Sequence, residues 1–414
     1  MEVLRIATAG SVDDGKSTLI GRLLYETNSI TTDKLEAIQR ASQRKGIDFL
    51  DLSLLTDGLI AEREQGITID VAHIYFNTPR RKFIIADSPG HVEYTRNMIT
   101  GASKADVSII LVDARNGILE QTHRHYYISN LLNIPRVIVC VNKMDLMDYS
   151  EARFGEIERD FLEFSSKIKS DTQEILILPI SSLYGENLTS KSEKMPWYTG
   201  RPLLEILETM DVHKSEAQLP SRFPIQYVIR PRTNEFHDYR GYAGRVASGR
   251  FSVGDKVTVL PSGQKSVIRK IDRFTQSLET AETRQSVTLV LEDDIDVSRG
   301  DLIVRDDEMP ELRREFTSRI CWLDRDPMVP GKSYLLQHGT AYTKAKISTI
   351  DFIEDPATLQ KVPGATIAMN GIAQVQVRTA KGLPVDHYHA NPANGAFILI
   401  DEHSNNTVGV GVVH

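Results

Sequence analysis

Three short runs limit what this chain can fold into more than anything else in it: Val107-Ser-Ile-Ile-Leu-Val112, Arg136-Val-Ile-Val-Cys-Val141 and Ile175-Leu-Ile-Leu-Pro-Ile180. Each is apolar almost without interruption, so neither face of the strand it forms tolerates water. Strands of that kind belong to a parallel sheet covered on both sides by helices. Glu120 to Leu132 and Ser150 to Lys167, which lie between these runs, have helical periodicity. The alternation predicts a doubly wound, mostly parallel α/β domain reaching to about residue 210. One excursion interrupts it from Asn28 to Gln65, with helical runs at Thr32 to Gln43 and Asp51 to Glu64 before a strand at Thr68 to Phe76. Excursions of that length in a compact domain are often functional.

After Met210 the polar run Asp211 to Arg222, with Pro220 inside it and Pro224 just beyond, reads as a linker. Helical periodicity stops there. Pro224 to Arg230, Gly241 to Ser248, Lys256 to Leu260, Val267 to Phe274, Ser286 to Leu291 and Asp301 to Val304 predict a β-barrel. Past Pro310, the runs Phe316 to Leu323, Lys332 to Leu336, Ala341 to Ile353, Ile372 to Thr379 and Ala396 to Asp401 predict a second one. The expected domains are therefore 1–215, 223–308 and 310–414, consistent with a length of 414 residues that exceeds what one core usually organises.

The chemistry begins at Gly10-Ser11-Val12-Asp13-Asp14-Gly15-Lys16-Ser17-Thr18, between the strand-like Val3 to Ala9 and a helical run. It reads as a phosphate-binding loop. The glycines let successive N–H groups turn toward one anion, and the helix opening at Lys16 aims its positive end at the same point. Lys16 adds a charge at the β- and γ-phosphates, and the Ser17 hydroxyl is the expected Mg²⁺ ligand. Downstream, Asp87 follows the strand Lys82 to Ala86, where a carboxylate reaches a phosphate-bound Mg²⁺ through water. Gly90, in Asp87-Ser88-Pro89-Gly90-His91, can present its N–H to a γ-phosphate. In Asn142-Lys143-Met144-Asp145 a carboxylate can accept two hydrogen bonds from the N1–H and N2–H₂ edge of guanine, a pair of donors that adenine lacks. Ser181-Ser182-Leu183 completes the series. Each piece alone is a commonplace turn or helix cap; their order and spacing together point to a guanine-nucleotide site.

These motifs resemble those of the translation-factor class of GTPases, the group containing elongation factor Tu, and the resemblance covers the whole chain as a G domain plus two β-barrels. More narrowly, the loop Gly10 to Thr18, Leu55-Thr-Asp-Gly-Leu59, Ala61-Glu-Arg-Glu-Gln-Gly-Ile-Thr-Ile-Asp70, Asp113-Ala-Arg-Asn-Gly117, Gln226-Tyr-Val-Ile-Arg-Pro231 and Arg240-Gly-Tyr-Ala-Gly-Arg245 resemble the GTPase subunits of sulfate adenylyltransferase. Ordinary elongation factors have a histidine where Asp14 stands. The resemblance implies Thr68 as the switch I threonine that closes over Mg²⁺ and the γ-phosphate. It implies His91 as the switch II histidine that positions the attacking water, with Val12 and Ile67 as an apolar gate beside it. It also implies GTP and Mg²⁺ as ligands, and a small adenylyl-transferring subunit as partner in making adenylyl sulfate from ATP and sulfate. No second Gly-x-x-x-x-Gly-Lys-Ser/Thr occurs here, as expected if adenylyl transfer belongs to that partner. The rival reading, a factor delivering aminoacyl-tRNA, is disfavoured by the narrower motifs.

Other features carry less. A formal charge of −7 argues against a generally basic nucleic-acid glove. Cys140 and Cys321 sit in apolar runs without metal-ligand spacing, which with the lack of a long apolar N-terminal stretch predicts a soluble, cytoplasmic protein without membrane contact. His387 and His389 could share a strand face as metal ligands but lack a third partner of suitable spacing, so structural or solvated histidines are expected. His123 and His125 are not i,i+4 on their helix. Phe223, Tyr227, Phe236, Tyr239 and Tyr242 read as barrel core and edge rather than an RNA-stacking surface.

Overall fold

The computed structural model describes residues 3–44, 50, 52–55, 72–88, 95–168, 173–211, 216–231 and 239–414. The chain divides into two compact units, Met1–Val212 with Pro356–Thr358, and His213–Asp355 with Leu359–His414.

In the first unit the described elements run β1 (Val3–Ala9), α1 (Lys16–Glu26), α2 (Thr32–Arg44), β2 (Ala72–Asn77), β3 (Lys82–Asp87), α3 (Thr95–Ala102), β4 (Val107–Asp113), α4 (Glu120–Leu131), β5 (Arg136–Asn142), α5 (Glu151–Ser165), β6 (Glu174–Pro179) and α6 (Leu203–Thr209). The sheet order is β2-β3-β1-β4-β5-β6. All neighbours are parallel except the edge strand β2, which runs against β3. The three apolar runs form β4, β5 and β6, and every residue of β4 is buried. Burying Ile109, Ile110 and Leu111 contributes about 2 kcal/mol apiece. The Ser150 hydroxyl caps α5 by accepting from the Arg153 N–H at 3.3 Å, which explains the helix start. Of the expected helix Asp51 to Glu64, the described part Leu52–Leu55 is a single 3₁₀ turn against α1. Residues 56–71, including Ile67 and Thr68, lie outside the described residues.

The strand register gathers the nucleotide motifs at one edge of the sheet. Thr8 pairs with Asp87 across β1 and β3, and Asp113 pairs with Asn142 across β4 and β5, so the carboxyl ends of these strands finish together. From β1 the chain runs to β2 and β3 on one side of it, and from β3 it crosses back past β1 to β4 on the other, so the carboxyl ends of β1 and β3 flank the switch point where open α/β sheets bind ligands.

The second unit holds two closed six-stranded barrels. In the first, β7 (Arg222–Ile229), β8 (Gly241–Arg245), β10 (Lys256–Leu260), β11 (Gln264–Arg273), β14 (Ser286–Leu291) and β15 (Leu302–Arg305) close in the order β10-β15-β7-β8-β14-β11-β10, and short strands β9 (Arg250–Ser252), β12 (Gln276–Leu278) and β13 (Thr280–Glu282) decorate the ring. In the second, β16 (Glu311–Trp322), β17 (Ser333–His338), β18 (Ala341–Glu354), β20 (Ile372–Val385), β21 (Ala396–Ile400) and β22 (Thr407–Val413) close as β17-β21-β22-β16-β20-β18-β17, with the two-residue β19 (Lys361–Val362) on β18. Closure leaves no long unpaired edge.

One closing strand, β22, is not expected from the sequence, because Gly409 and Gly411 look like breakers. In the barrel they make room instead. A Cβ on Gly411 would fall 2.2 Å from the Phe397 ring, and one on Gly409 would fall 3.3 Å from Trp322. The two barrels are joined by a buried ion pair, in which Arg222 donates from Nε and Nη2 to the two carboxylate oxygens of Asp386 at 2.8 and 2.9 Å. Bidentate geometry is what a desolvated pair needs.

Candidate nucleotide-binding site

The loop between β1 and α1 is built to expose backbone donors. Gly15 caps α1 in the left-handed region at φ 92°, no side chain caps the helix, and its first turn carries no acid. The N–H groups of the first helical turn are therefore left without a side-chain cap, as an anion site at a helix start requires. Lys16, 8% exposed, donates from Nζ to the carbonyls of Gly10 at 2.9 Å and Ser11 at 3.4 Å. Burial pushes its ammonium down, against the pull of Asp87, Asp14 and Asp13. Ser17 and Thr18 are half-buried on the first turn, while Val12 and Asp13 stand at the exposed tip.

Asp87 ends β3 and is fully enclosed, with one carboxylate oxygen accepting from the Thr8 hydroxyl at 3.1 Å. Gly90 and His91 lie outside the described residues. Three buried hydroxyls around the crevice, on Ser11, Ser88 and Ser182, make no hydrogen bond among the described residues. Buried polar atoms without partners are rare enough to need a reason, and a polar ligand supplies one here. The Ser17 hydroxyl and the Asp87 carboxylate are hard oxygen donors of the kind Mg²⁺ takes along with phosphate oxygens and water, so the residues fit that ion.

Asn142 stitches three motifs together. Its Nδ2 donates to the Asp14 carbonyl at 2.8 Å, and its Oδ1 accepts from the Ser182 N–H at 2.9 Å. Neighbouring Lys143 adopts the left-handed conformation at φ 62°, and its ammonium donates to the Asp13 carbonyl and pairs with Asp113 at 2.9 Å. Asp145 accepts from the Ser181 hydroxyl at 2.5 Å, which fixes one carboxylate oxygen. The structure thus brings together Gly10 to Thr18, Asp87, Asn142, Lys143, Asp145 and Ser181 to Leu183.

Two supporting interactions are invisible in the sequence. Asp113 is 2% exposed; burial pushes its carboxyl up, but hydrogen bonds from Arg115 and Lys143 prevail and hold it down to about 2. Arg115 closes on it from Nη2 at 2.6 Å. Arg22, on α1, donates to the carbonyls of Ser182 and Leu183 and so fastens that loop to the phosphate-loop helix. Asp113 stands out as part of Asp113 to Gly117, yet nothing in its spacing says that it holds Lys143.

Elsewhere the structure adds a third histidine to a pair that lacked one. His414 comes within 5.6 Å of His387 and 6.1 Å of His389, ring centre to ring centre, yet among the described residues no group of His, Cys, Asp or Glu is arranged to hold a metal. Phe223 and Tyr242 are core, Tyr227 is exposed, and Phe236 lies outside the described residues. Cys140 and Cys321 are buried free thiols, and no described helix is long and apolar enough to cross a membrane.

Fold and site define a GTP-binding protein of the elongation factor Tu class: the elongation factor Tu GTP binding domain family matches residues 1–215, and the GTP-eEF1A C-terminal domain-like family matches residues 315–414. The GTPase-like domain of Ski7 from S. cerevisiae, bound to GDP and inorganic phosphate, shares the fold at a TM-score of 0.53 and 18% identity, over 100% of this chain and 97% of that one. Sulfate adenylyltransferase subunit 1 of Alteromonas mediterranea is 47% identical over 414 residues, which is 100% of this chain and 87% of the relative. The corresponding protein of Aliivibrio fischeri is 47% identical over 99% of this chain and 86% of its own, and the bifunctional enzyme CysN/CysC of Mycobacterium tuberculosis is 46% identical over 99% and 67%. The chain belongs to the sulfate adenylyltransferase subunit 1 family.

Proposed function

We propose that this chain is the GTPase subunit of a two-part sulfate adenylyltransferase, in which GTP hydrolysis here drives formation of adenylyl sulfate from ATP and sulfate on a small catalytic partner. The observation that carries the nucleotide reading is Asn142, hydrogen-bonded at once to the phosphate loop through Asp14 and to the base loop through Ser182. Family membership carries the sulfate reading.

In this proposal the loop N–H groups from Gly10 to Thr18 and the Lys16 ammonium hold the β- and γ-phosphates. Asp145 reads the guanine edge, with Ser181, Ser182 and Leu183 around the base. Ser17, Thr68 and Asp87 hold Mg²⁺, which when bound neutralises charge on the phosphates. Gly90 donates to the γ-phosphate and His91 orients water for attack. These are positioning and electrostatic roles, the kind of work phosphoryl transfer asks of a protein. Residues 1–215 form the nucleotide domain, and 223–308 and 310–414 the two barrels. A cytoplasmic location suits the two buried thiols.

Copurification tests the assignment. The chain should bring down a small adenylyl-transferring subunit from a lysate of its own source. Recovery of aminoacyl-tRNA instead would favour the delivery-factor reading.

A further inference from the structure

The phosphate loop contains a feature that binding alone does not explain. Asp14 is 3% exposed and lies inside the loop, with its Oδ2 accepting the Ser11 N–H at 2.6 Å. Its own N–H donates back to the Ser11 carbonyl at 3.3 Å, so residues 11 to 14 form a turn closed by both side chain and main chain. Asn142 fastens the same residue from the other side through its carbonyl. A Cβ on Gly10 would stand 3.4 Å from the Asp14 carboxylate, and the Gly10 carbonyl accepts from Lys16, so the carboxylate sits close to the one buried ammonium of the loop.

The two consequences oppose each other. Tethering Ser11 pre-forms the loop, which saves ordering entropy when a polyphosphate arrives. The same carboxylate occupies a backbone donor of the loop and adds a negative charge beside Lys16, part of whose charge it offsets. Asp13, Lys16, Asp113 and Lys143 are the other charged groups around it. A neutral hydrogen-bond acceptor at this position would supply the tether without the repulsion.

We propose that Asp14 is a positioning residue that sets the lifetime of bound nucleotide: its carboxylate holds the loop open in its binding shape through Ser11 and, by repelling the phosphates, speeds release of GDP after hydrolysis. The proposal rests on the GTPase reading and deepens it. Changes in affinity within one site appear mostly in the off-rate, so release is where the effect should be read.

The test is stopped-flow release of a fluorescent GDP analogue from the full chain and its Asp14→Asn and Asp14→Ala variants. Asn keeps size and an acceptor for Ser11 while removing charge, so GDP release should slow by about tenfold. Ala removes the tether as well, so its release should be faster than from the Asn variant. A purely structural role predicts Asn equal to wild type. Release from the Asn variant at or above the wild-type rate therefore overturns the proposal. Equal rates from Asn and Ala overturn the tether. Failure of the wild type to bind the analogue saturably would overturn the nucleotide site itself, and this inference with it.

Discussion

A Cβ placed on Gly15 would stand 2.5 Å from the side-chain amide nitrogen of Asn142. The Gly10 to Thr18 loop and the loop carrying Asn142 thus approach so closely that any larger residue would part them, and Gly15 also holds φ 92°, where side chains are strained. Gly15→Ala should therefore cost nucleotide affinity twice over. Asn142→Ala should lose affinity too, since it leaves the Asp14 carbonyl and the buried Ser182 N–H without their present partner. About a hundredfold loss in each by titration with labelled GDP, with the folded state retained by circular dichroism, is expected.

Asp145 tests base choice. Asp145→Asn exchanges an acceptor for a donor and should shift preference from GTP toward XTP. Unaltered GTP affinity with no gain for XTP would mean that Asp145 does not read the base.

Binding and hydrolysis should separate by residue. Lys16→Ala removes a charge from the phosphates and should weaken binding itself, whereas His91→Ala should leave GTP bound and slow its cleavage. Single-turnover cleavage at the wild-type rate in the His91 variant would sink the water-positioning role.

The Asp113 carboxyl, held down to about 2 by Arg115 and Lys143, makes a prediction in pH. Its folded value lies below the ordinary 3.8, so the stability it contributes is fully present above pH 3.8 and is lost as pH falls toward 2. Asp113→Asn should be less stable than wild type by about 2 kcal/mol at neutral pH, with the difference closing below pH 3.8 in denaturant titrations. It should also weaken guanine-nucleotide binding, because Lys143 loses its anchor.

Much of this is legible in the sequence because it is local. Loop, strand-end carboxylate and base motif are short runs whose order survives without a structure, and the buried strands β4 to β6 follow from unbroken apolar stretches. What the sequence hides is long-range. Gly409 and Gly411 look like turn residues until Trp322 and Phe397 are seen across the ladder, so β22 emerges only in the fold. Arg22 sits 160 residues from the Ser182 carbonyl that it holds, and no spacing rule reaches that far. His414, the third histidine beside His387 and His389, directly follows β22 and stays hidden for the same reason. Gly90, read from its motif, and Thr68 and His91, implied by resemblance, remain expectations, since they lie outside the described residues.

Energy coupling is read directly from the adenylyl sulfate formed from ATP and sulfate by this chain with the proposed adenylyl-transferring subunit, compared under GTP, a non-hydrolysable GTP analogue and no guanine nucleotide. A ligand shifts an equilibrium only through differential affinity for its states, so binding alone can activate but cannot carry the product past its ordinary equilibrium. Adenylyl sulfate should accumulate beyond the level reached without guanine nucleotide when GTP is present, and should not do so with the analogue. The same final level under all three conditions would contradict energy coupling.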